Sequence, residues 1–314
     1  MKVELLVVLL TSRCNLHCSY CYLNCTEKGE DLTLKTLYLL INRLETPPRE
    51  IVLSGGEPTL IPDLLKAAIK LLREKFPRSL LSLQTNGTLL DRALVSFCRE
   101  MKVGLGLSID GPPEINDLSR GETKKTLQGL KLLEEEGLAC GVTVTVTQKN
   151  VSFLGETALF LGLFAPVASL GLDLLRPAGR GQERDLPRAS QLWQSLEGLE
   201  KALCFLRQKG RFLSWREKNL QTSPKGYCPA VRGRSLVLTP NAELYPCASL
   251  VGRKEFLLGT ADGSFSTLPL GNGCLSCNPL CPGRCPSRSL LSPRAGELDC
   301  VVRHFFRLRS KEAL

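Results

Sequence analysis

Three cysteines, Cys14, Cys18 and Cys21, stand within the stretch TSRCNLHCSYCYLNC that runs from Thr11 to Cys25. The spacing CxxxCxxC is too compact for a disulfide pair and is one thiolate short of a closed four-ligand site. Cysteine thiolates are the usual ligands of 4Fe-4S clusters, so three on one short loop can hold three irons. The fourth iron is then open to another ligand. By the logic that holds for zinc, an open position is what separates a catalytic metal site from a structural one. The same residues also read as a zinc knuckle, or as three unrelated core thiols, because free cysteine is among the most buried residue types.

The spacing, with Tyr20 just before the last cysteine, resembles the signature of the radical S-adenosylmethionine (SAM) enzymes. The resemblance implies that the open iron chelates the amino and carboxylate groups of SAM. One electron then cleaves SAM to a 5'-deoxyadenosyl radical that takes hydrogen from a substrate, the cofactor carrying the hard chemistry and the protein positioning it. Further clusters are similar to SAM-contact motifs of the same family. Gly55-Gly56-Glu57-Pro58 is like its GGEP element, where glycines admit close backbone approach and the acid can pair with the SAM ammonium. Read alone, the glycines make a turn and Glu57 suits a first helical turn. Ser108 and Asp110 in LSIDGP, with Arg120 twelve residues beyond Ser108, match the spacing that the sulfatase-maturing branch uses for the SAM carboxylate, which an arginine fork suits. Thr85 and Asn86 would reach the ribose, or else form a turn with Gly87.

A second cysteine field comprises Cys228, Cys247, Cys274, Cys277, Cys281, Cys285 and Cys300. It resembles the SPASM extension of the family, with Ala242 standing where a glycine precedes the second cysteine and a shortened gap between Cys277 and Cys281. Carried over by position, Cys274, Cys277, Cys281 and Cys300 would hold one auxiliary 4Fe-4S cluster. Cys228, Cys247 and Cys285 would hold another that is a ligand short. Three clusters would bring about twelve irons per chain. Zinc on Cys274, Cys277, Cys281 and Cys285 is the alternative. Ala248 follows Cys247 where sulfatase-maturing enzymes resemble one another in carrying an aspartate base, which argues against formylglycine formation and leaves the catalytic proton acceptor unassigned. Cys25 is an extra thiol beside the first site.

The elements that must position these residues are legible as repeated βα units, short apolar runs alternating with amphipathic segments from residue 3 to about 175. Strands are expected at Val3–Leu10, Glu50–Leu53, Leu80–Leu83, Val103–Ile109, Gly141–Thr147 and near Ser169–Leu175. Thr33 should cap a helix with Leu34, Leu37, Ile41 and Leu44 on one face. Six units make an α/β fold, a partial (β/α)6 TIM-like barrel with functional loops at the carboxyl ends of its strands. The polar run GRGQERDLP, 179–187, marks the exit from the barrel, and Ala189 to Gln208 reads as a long amphipathic helix. Beyond it periodicity fades, which suggests a segment that needs metal staples. The expected division is 1–210 for the barrel and 211–314 for a small cysteine-rich iron-sulfur domain.

Fourteen cysteines without an export signal point to metal rather than disulfides. Leu5–Leu10 is not expected to be a lipidation signal ending at Cys14, because Arg13 sits where processing needs a small residue. Cys98, Cys140 and Cys204 lie in apolar segments and are expected in the core. No apolar run approaches a membrane span, so the chain is expected to be cytoplasmic. A formal charge of +10 suggests an acidic partner, but basic residues are scattered and aromatics are 6% of the chain, too few for a nucleic-acid stacking platform. The resemblance implies a peptide or protein substrate and an electron donor such as flavodoxin or ferredoxin. The modification would be a thioether or carbon-carbon crosslink, or an epimerisation. The other enzyme reading is maturation of a tetrapyrrole or redox cofactor, and a reading from another class is a zinc-binding or electron-transfer module without SAM turnover.

Overall fold

The computed structural model describes residues 2–215, 228–271 and 283–312, the last six of these as backbone. In chain order the elements are β1 (Leu5–Leu9), α1 (Leu34–Asn42), β2 (Glu50–Ser54), α2 (Pro62–Lys75), β3 (Leu80–Thr85), α3 (Arg92–Glu100), β4 (Val103–Ser108), α4 (Pro113–Asp117) and α5 (Thr123–Glu135). They continue with β5 (Cys140–Val146), α6 (Leu154–Gly162), β6 (Val167–Leu174), α7 (Ala189–Gln208), β7 (Ser214–Trp215), β8 (Ser235–Leu238), β9 (Glu243–Tyr245), β10 (Gly259–Thr260), α8 (Pro286–Leu291) and α9 (Pro293–Glu312).

Strands β1 to β6 pair in sequence order and in parallel. This gives the six-unit α/β sheet expected of a partial barrel. The reason is visible in β5, where Cys140, Val142, Val144 and Val146 are buried and the intervening Gly141, Thr143 and Thr145 are half-buried, a period-2 pattern with both faces covered. Helix α1 is capped by Thr33, whose side chain accepts from the Thr36 backbone N–H at 3.1 Å. Its buried face is Leu37, Leu40 and Ile41, while Leu34 in the first turn is exposed.

The segment beyond residue 210 joins the same sheet. Strand β8 lies parallel to β1, β9 and β10 continue antiparallel, and β7 pairs with β6 at the opposite edge. Strand β1 is therefore covered twice: Leu6 and Val8 enter the main core, and Leu9 packs with Val237 and Tyr245 in a smaller cluster. Cys98 and Cys140 are buried as expected, but Cys204 is exposed on α7, because it falls outside the face on which Leu192, Leu196, Leu199, Ala202 and Leu206 are buried.

Ala242, in the turn between β8 and β9, has φ of +66°. That explains why a glycine suits this position, since a left-handed conformation costs a side-chain-bearing residue about 1–2 kcal/mol. Ala242→Gly is expected to stabilise the protein by about 1 kcal/mol once glycine's greater unfolded-state entropy is deducted. A denaturation midpoint that does not rise would contradict the assignment of strain.

Candidate radical SAM site

Because the parallel strands all run one way, the loops after β1, β2, β3, β4 and β6 meet at one end of the sheet. The cysteine loop leaves β1 and is pinned at its base. Arg13 forms a two-pronged pair with Asp31, Nε to Oδ1 at 3.0 Å and Nη2 to Oδ2 at 2.8 Å. The Cys14 N–H donates to the Thr26 carbonyl at 2.7 Å and the Ser19 N–H to the Ser119 carbonyl at 2.8 Å.

The GGEP loop after β2 packs directly on this base. The Gly56 N–H donates to the Thr11 carbonyl at 2.7 Å, and the Glu57 N–H to the Arg13 carbonyl at 2.8 Å. A Cβ on Gly56 would stand 1.9 Å from the Arg13 carbonyl oxygen. The surface that these glycines admit is thus the backbone of the cysteine loop itself. Gly56→Ala is expected to destabilise by about 1–3 kcal/mol, the usual range for forced overpacking, and to reduce iron uptake by the loop. Unchanged thermal stability with full iron would contradict this.

Glu57 is buried, 1% exposed. Its Oε1 accepts from the Thr59 N–H, the Thr59 hydroxyl and the Thr85 hydroxyl, and its Oε2 accepts from the Asn86 N–H at 2.7 Å. One carboxylate therefore knots the ends of β2 and β3 together while capping the turn Pro58–Leu60. Oε2 keeps capacity for a further donor. Asn86 in turn donates to Asn15 on the cysteine loop at 2.9 Å.

After β4, which ends at the half-buried Ser108, Asp110 is fully buried. Its Oδ1 accepts from the Thr145 N–H at 2.8 Å and its Oδ2 from the Tyr20 hydroxyl. Arg120 donates to the Tyr20 oxygen at 2.6 Å and lies 4.0 Å from Asp110. Burial raises the Asp110 pKa, with Arg120 opposing it. The structure thus joins Tyr20, singled out with the cysteine loop, to Asp110 and Arg120, which the sequence grouped by spacing.

Burial pushes the Cys14 thiol up to about 11, and it also raises Cys18, with Arg120 working against the shift. The Cys25 thiol donates to Cys21, which holds Cys21 down to about 5 and drives Cys25 far upward. The proton shared by the pair is thus held on the Cys25 side, which favours the thiolate form of Cys21. Among the described residues, no three His, Cys, Asp or Glu side chains stand as they would round a single metal ion. What the loop offers is a donor set: three sulfurs on one segment, each within electrostatic reach of another, with the thiolate form of Cys21 favoured. Its chemistry fits an iron-sulfur cluster.

Sequence reasoning passed over Arg180, reading its segment as an exit turn. The Arg180 Nε donates to the Cys18 carbonyl at 2.9 Å, and Nη1 donates to the Cys25 carbonyl at 2.9 Å and to Asn24 Oδ1 at 3.2 Å. Its backbone N–H donates to the Cys21 carbonyl at 3.0 Å. Gly179 beside it has φ of +58°, and a Cβ there would come within 2.3 Å of that same carbonyl. The glycines flanking Arg180 were the available signal.

In the second field, Cys228, Cys247 and Cys285 line one cavity of about 170 Å³ beside the end of β6. Cys300 accepts from Arg284 Nε at 3.1 Å. Cys274, Cys277 and Cys281 lie outside the described residues.

Residues 8–161 match the model of the Radical SAM superfamily. An uncharacterized protein of Methanocaldococcus jannaschii is 30% identical over 258 residues, 79% of this chain and 85% of that one. The chain belongs to the radical SAM superfamily. As a member it is an enzyme that uses SAM and 4Fe-4S clusters. Fe-coproporphyrin III synthase of Methanosarcina barkeri is 36% identical over 157 residues, 48% of this chain and 39% of that one. A cysteine-type anaerobic sulfatase-maturating enzyme of Clostridium perfringens is 32% identical over 131 residues, 38% and 35% of the two chains. The chain thus spans well under half the length of these two relatives. Its fold is that of native anSMEcpe with bound AdoMet and a Cp18Cys peptide, TM-score 0.69 at 22% identity over 83% of this chain and 78% of that one. It is also that of Streptococcus suis SuiB bound to precursor peptide SuiA, TM-score 0.63 at 15% identity over 84% and 63%. No helix among the described residues is long and apolar enough to cross a membrane.

Proposed function

We propose that this enzyme is of the SPASM type and modifies a peptide or protein by abstracting hydrogen from it. The observation that carries this reading is the extent of the fold match: 83–84% of the chain superposes on two enzymes crystallised with peptides, further than the radical SAM core alone reaches. Ala248 after Cys247 points away from formylglycine formation, and the modification would be a crosslink or an epimerisation.

When bound, the cluster and SAM supply an organic radical strong enough to take an unactivated hydrogen. The protein's part is placement. Cys14, Cys18 and Cys21 would hold three irons. Glu57 Oε2, with the backbone of Gly55 and Gly56, would meet the SAM ammonium. Arg120 would turn the remaining nitrogens of its guanidinium to the SAM carboxylate beside Ser108, while its Nη1 is held at the Tyr20 hydroxyl beside Asp110 in a dry site. Thr85 and Asn86, already fixed by Glu57, would face the ribose. Cys228, Cys247 and Cys285 would hold one auxiliary cluster, and Cys300 with Cys274, Cys277 and Cys281 a second. A flavodoxin or ferredoxin would deliver the electron.

A second reading, maturation of a tetrapyrrole, is favoured by the 36% identity to Fe-coproporphyrin III synthase across the region that holds the SAM motifs. One experiment separates the two. Reduced, iron-loaded protein is incubated in deuterium oxide with SAM and either a peptide pool or iron tetrapyrroles bearing carboxylate side chains, and the products are read by mass spectrometry. A peptide losing hydrogen, or gaining one carbon-bound deuterium on epimerisation, supports the first reading. Loss of mass from the tetrapyrrole side chains with peptides untouched overturns it.

A further inference from the structure

A run of charged side chains joins the two cysteine fields. Tyr22, next to Cys21, has the Arg176 guanidinium 5.6 Å from its ring centroid. Arg176 pairs with Asp173 Oδ2, and Asp173 Oδ1 accepts from Arg288. Arg288 Nη1 donates to Asp299 Oδ1 at 2.6 Å, and its Nε to the Leu174 carbonyl at 3.1 Å. Asp299 Oδ2 finally accepts from the Cys285 N–H at 2.8 Å. Four of these charged groups, Arg176, Asp173, Arg288 and Asp299, line the cavity that Cys228, Cys247 and Cys285 also line.

Such an arrangement is poorly explained by stability. Arg288 and Asp299 are buried and Arg176 and Asp173 half-buried, and ions withdrawn from water pay a desolvation cost that well-packed apolar residues avoid. Burial raises the Asp173 carboxyl, but Arg176 and Arg288 outweigh it and keep the group ionised. Arg288 is shared by two carboxylates, and Asp173 by two guanidiniums. Arg176 contacts one carboxylate, and its Nε is buried without a hydrogen-bond partner. In a low-dielectric wall such charges act strongly on a neighbouring redox group, and local charge is one of the levers that set cluster potentials.

We propose that Arg176 and Asp173 set the reduction potential of the cluster held at Cys228, Cys247 and Cys285, Arg176 raising it and Asp173 lowering it. The proposal rests on reading that cavity as a cluster site. Reduction adds an electron to a thiolate-bound, already anionic group, so a neighbouring cation favours the reduced form and a neighbouring carboxylate disfavours it. Because Arg176 also touches Tyr22, the setting depends on the seating of the N-terminal loop.

The test is a potentiometric titration of the anaerobically reconstituted full chain, followed by electron paramagnetic resonance and iron analysis, with the relevant couple assigned by its loss in Cys285→Ser. Arg176→Gln should move that couple to lower potential, Arg176→Lys should leave it near its original value, and Asp173→Asn should move it higher. Shifts of opposite sign are not expected of a merely structural role. An iron-loaded Arg176→Gln or Asp173→Asn protein whose couple is unmoved, or two shifts of the same sign, overturns the proposal. If Arg176→Gln fails to fold, the Asp173→Asn shift alone decides: upward supports the proposal, while unchanged or downward overturns it. If Cys285→Ser removes neither iron nor any signal, the cluster reading of the cavity fails and takes the proposal with it.

Discussion

Substituting Cys14, Cys18 or Cys21 by alanine should abolish SAM cleavage, lower bound iron by about four per chain, and leave the protein folded. The expected loss of 5'-deoxyadenosine formation exceeds the roughly 10–100-fold that removal of a supporting outer partner costs a metal site, because a ligand itself is gone. Folding should survive because the loop is held by its backbone. The bonds from Cys14 to Thr26, from Gly56 to Thr11 and from Glu57 to Arg13 are all main-chain contacts that no cysteine side chain makes. Cys25→Ala makes an informative control: it removes the proton donor to Cys21 while sparing the three proposed ligands. Iron determination and product chromatography on the four variants check the prediction. Retention of cleavage in any of the first three would contradict the ligand assignment.

Arg180→Ala should have the second-largest effect. Two charge-assisted bonds to carbonyls and one to Asn24 would be lost, and hydrogen bonds to charged groups contribute about 1.5–3 kcal/mol each when their partners are left without replacement. Water reaches part of this half-buried site, so a net loss of about 2–4 kcal/mol is expected, seen as a lower denaturation midpoint. The cysteine loop should load iron poorly even at temperatures where the fold persists. Arg180→Lys offers a point charge rather than a fork and should recover little. Equal iron content in wild type and Arg180→Ala would show that the loop is seated without this clamp.

These two predictions differ in how far the sequence reveals them. The cysteine spacing and the motifs at strands two to four are local, within about a hundred residues, and each follows a strand whose period-2 pattern can be read directly. Arg180 acts across 162 residues to the Cys18 carbonyl, and its acceptors are backbone atoms that no sequence pattern marks. The same holds for the run from Tyr22 through Arg176, Asp173, Arg288 and Asp299 to Cys285, whose members are ordinary charged residues until the fold places them together. Strand β8, four residues long, pairs with β1 across some 230 positions; a run that short between turn-rich segments gives no sign of its partner. Cys204 was expected in the core because its neighbours are apolar, but in a helix it is the face, not the neighbourhood, that decides burial.

Glu57 and the two glycines before it show how a motif can be located from sequence while part of its local work stays hidden. Their position at the end of β2 is as expected, yet here the glycines clear space for the cysteine loop and the carboxylate ties β3 to β2. In Gly55, Gly56 and Glu57 the positioning of the loop is therefore visible in the fold beside the ligand contact proposed for them.

Whether the loop from Thr11 to Cys25 carries a cluster that cleaves SAM is open to direct measurement. The direct measurement is chromatographic quantification of 5'-deoxyadenosine from anaerobically reconstituted, chemically reduced protein given SAM alone. Steady formation of 5'-deoxyadenosine and methionine, absent in the Cys21→Ala protein, is the predicted result. Fully iron-loaded, reduced protein that leaves SAM intact would contradict it.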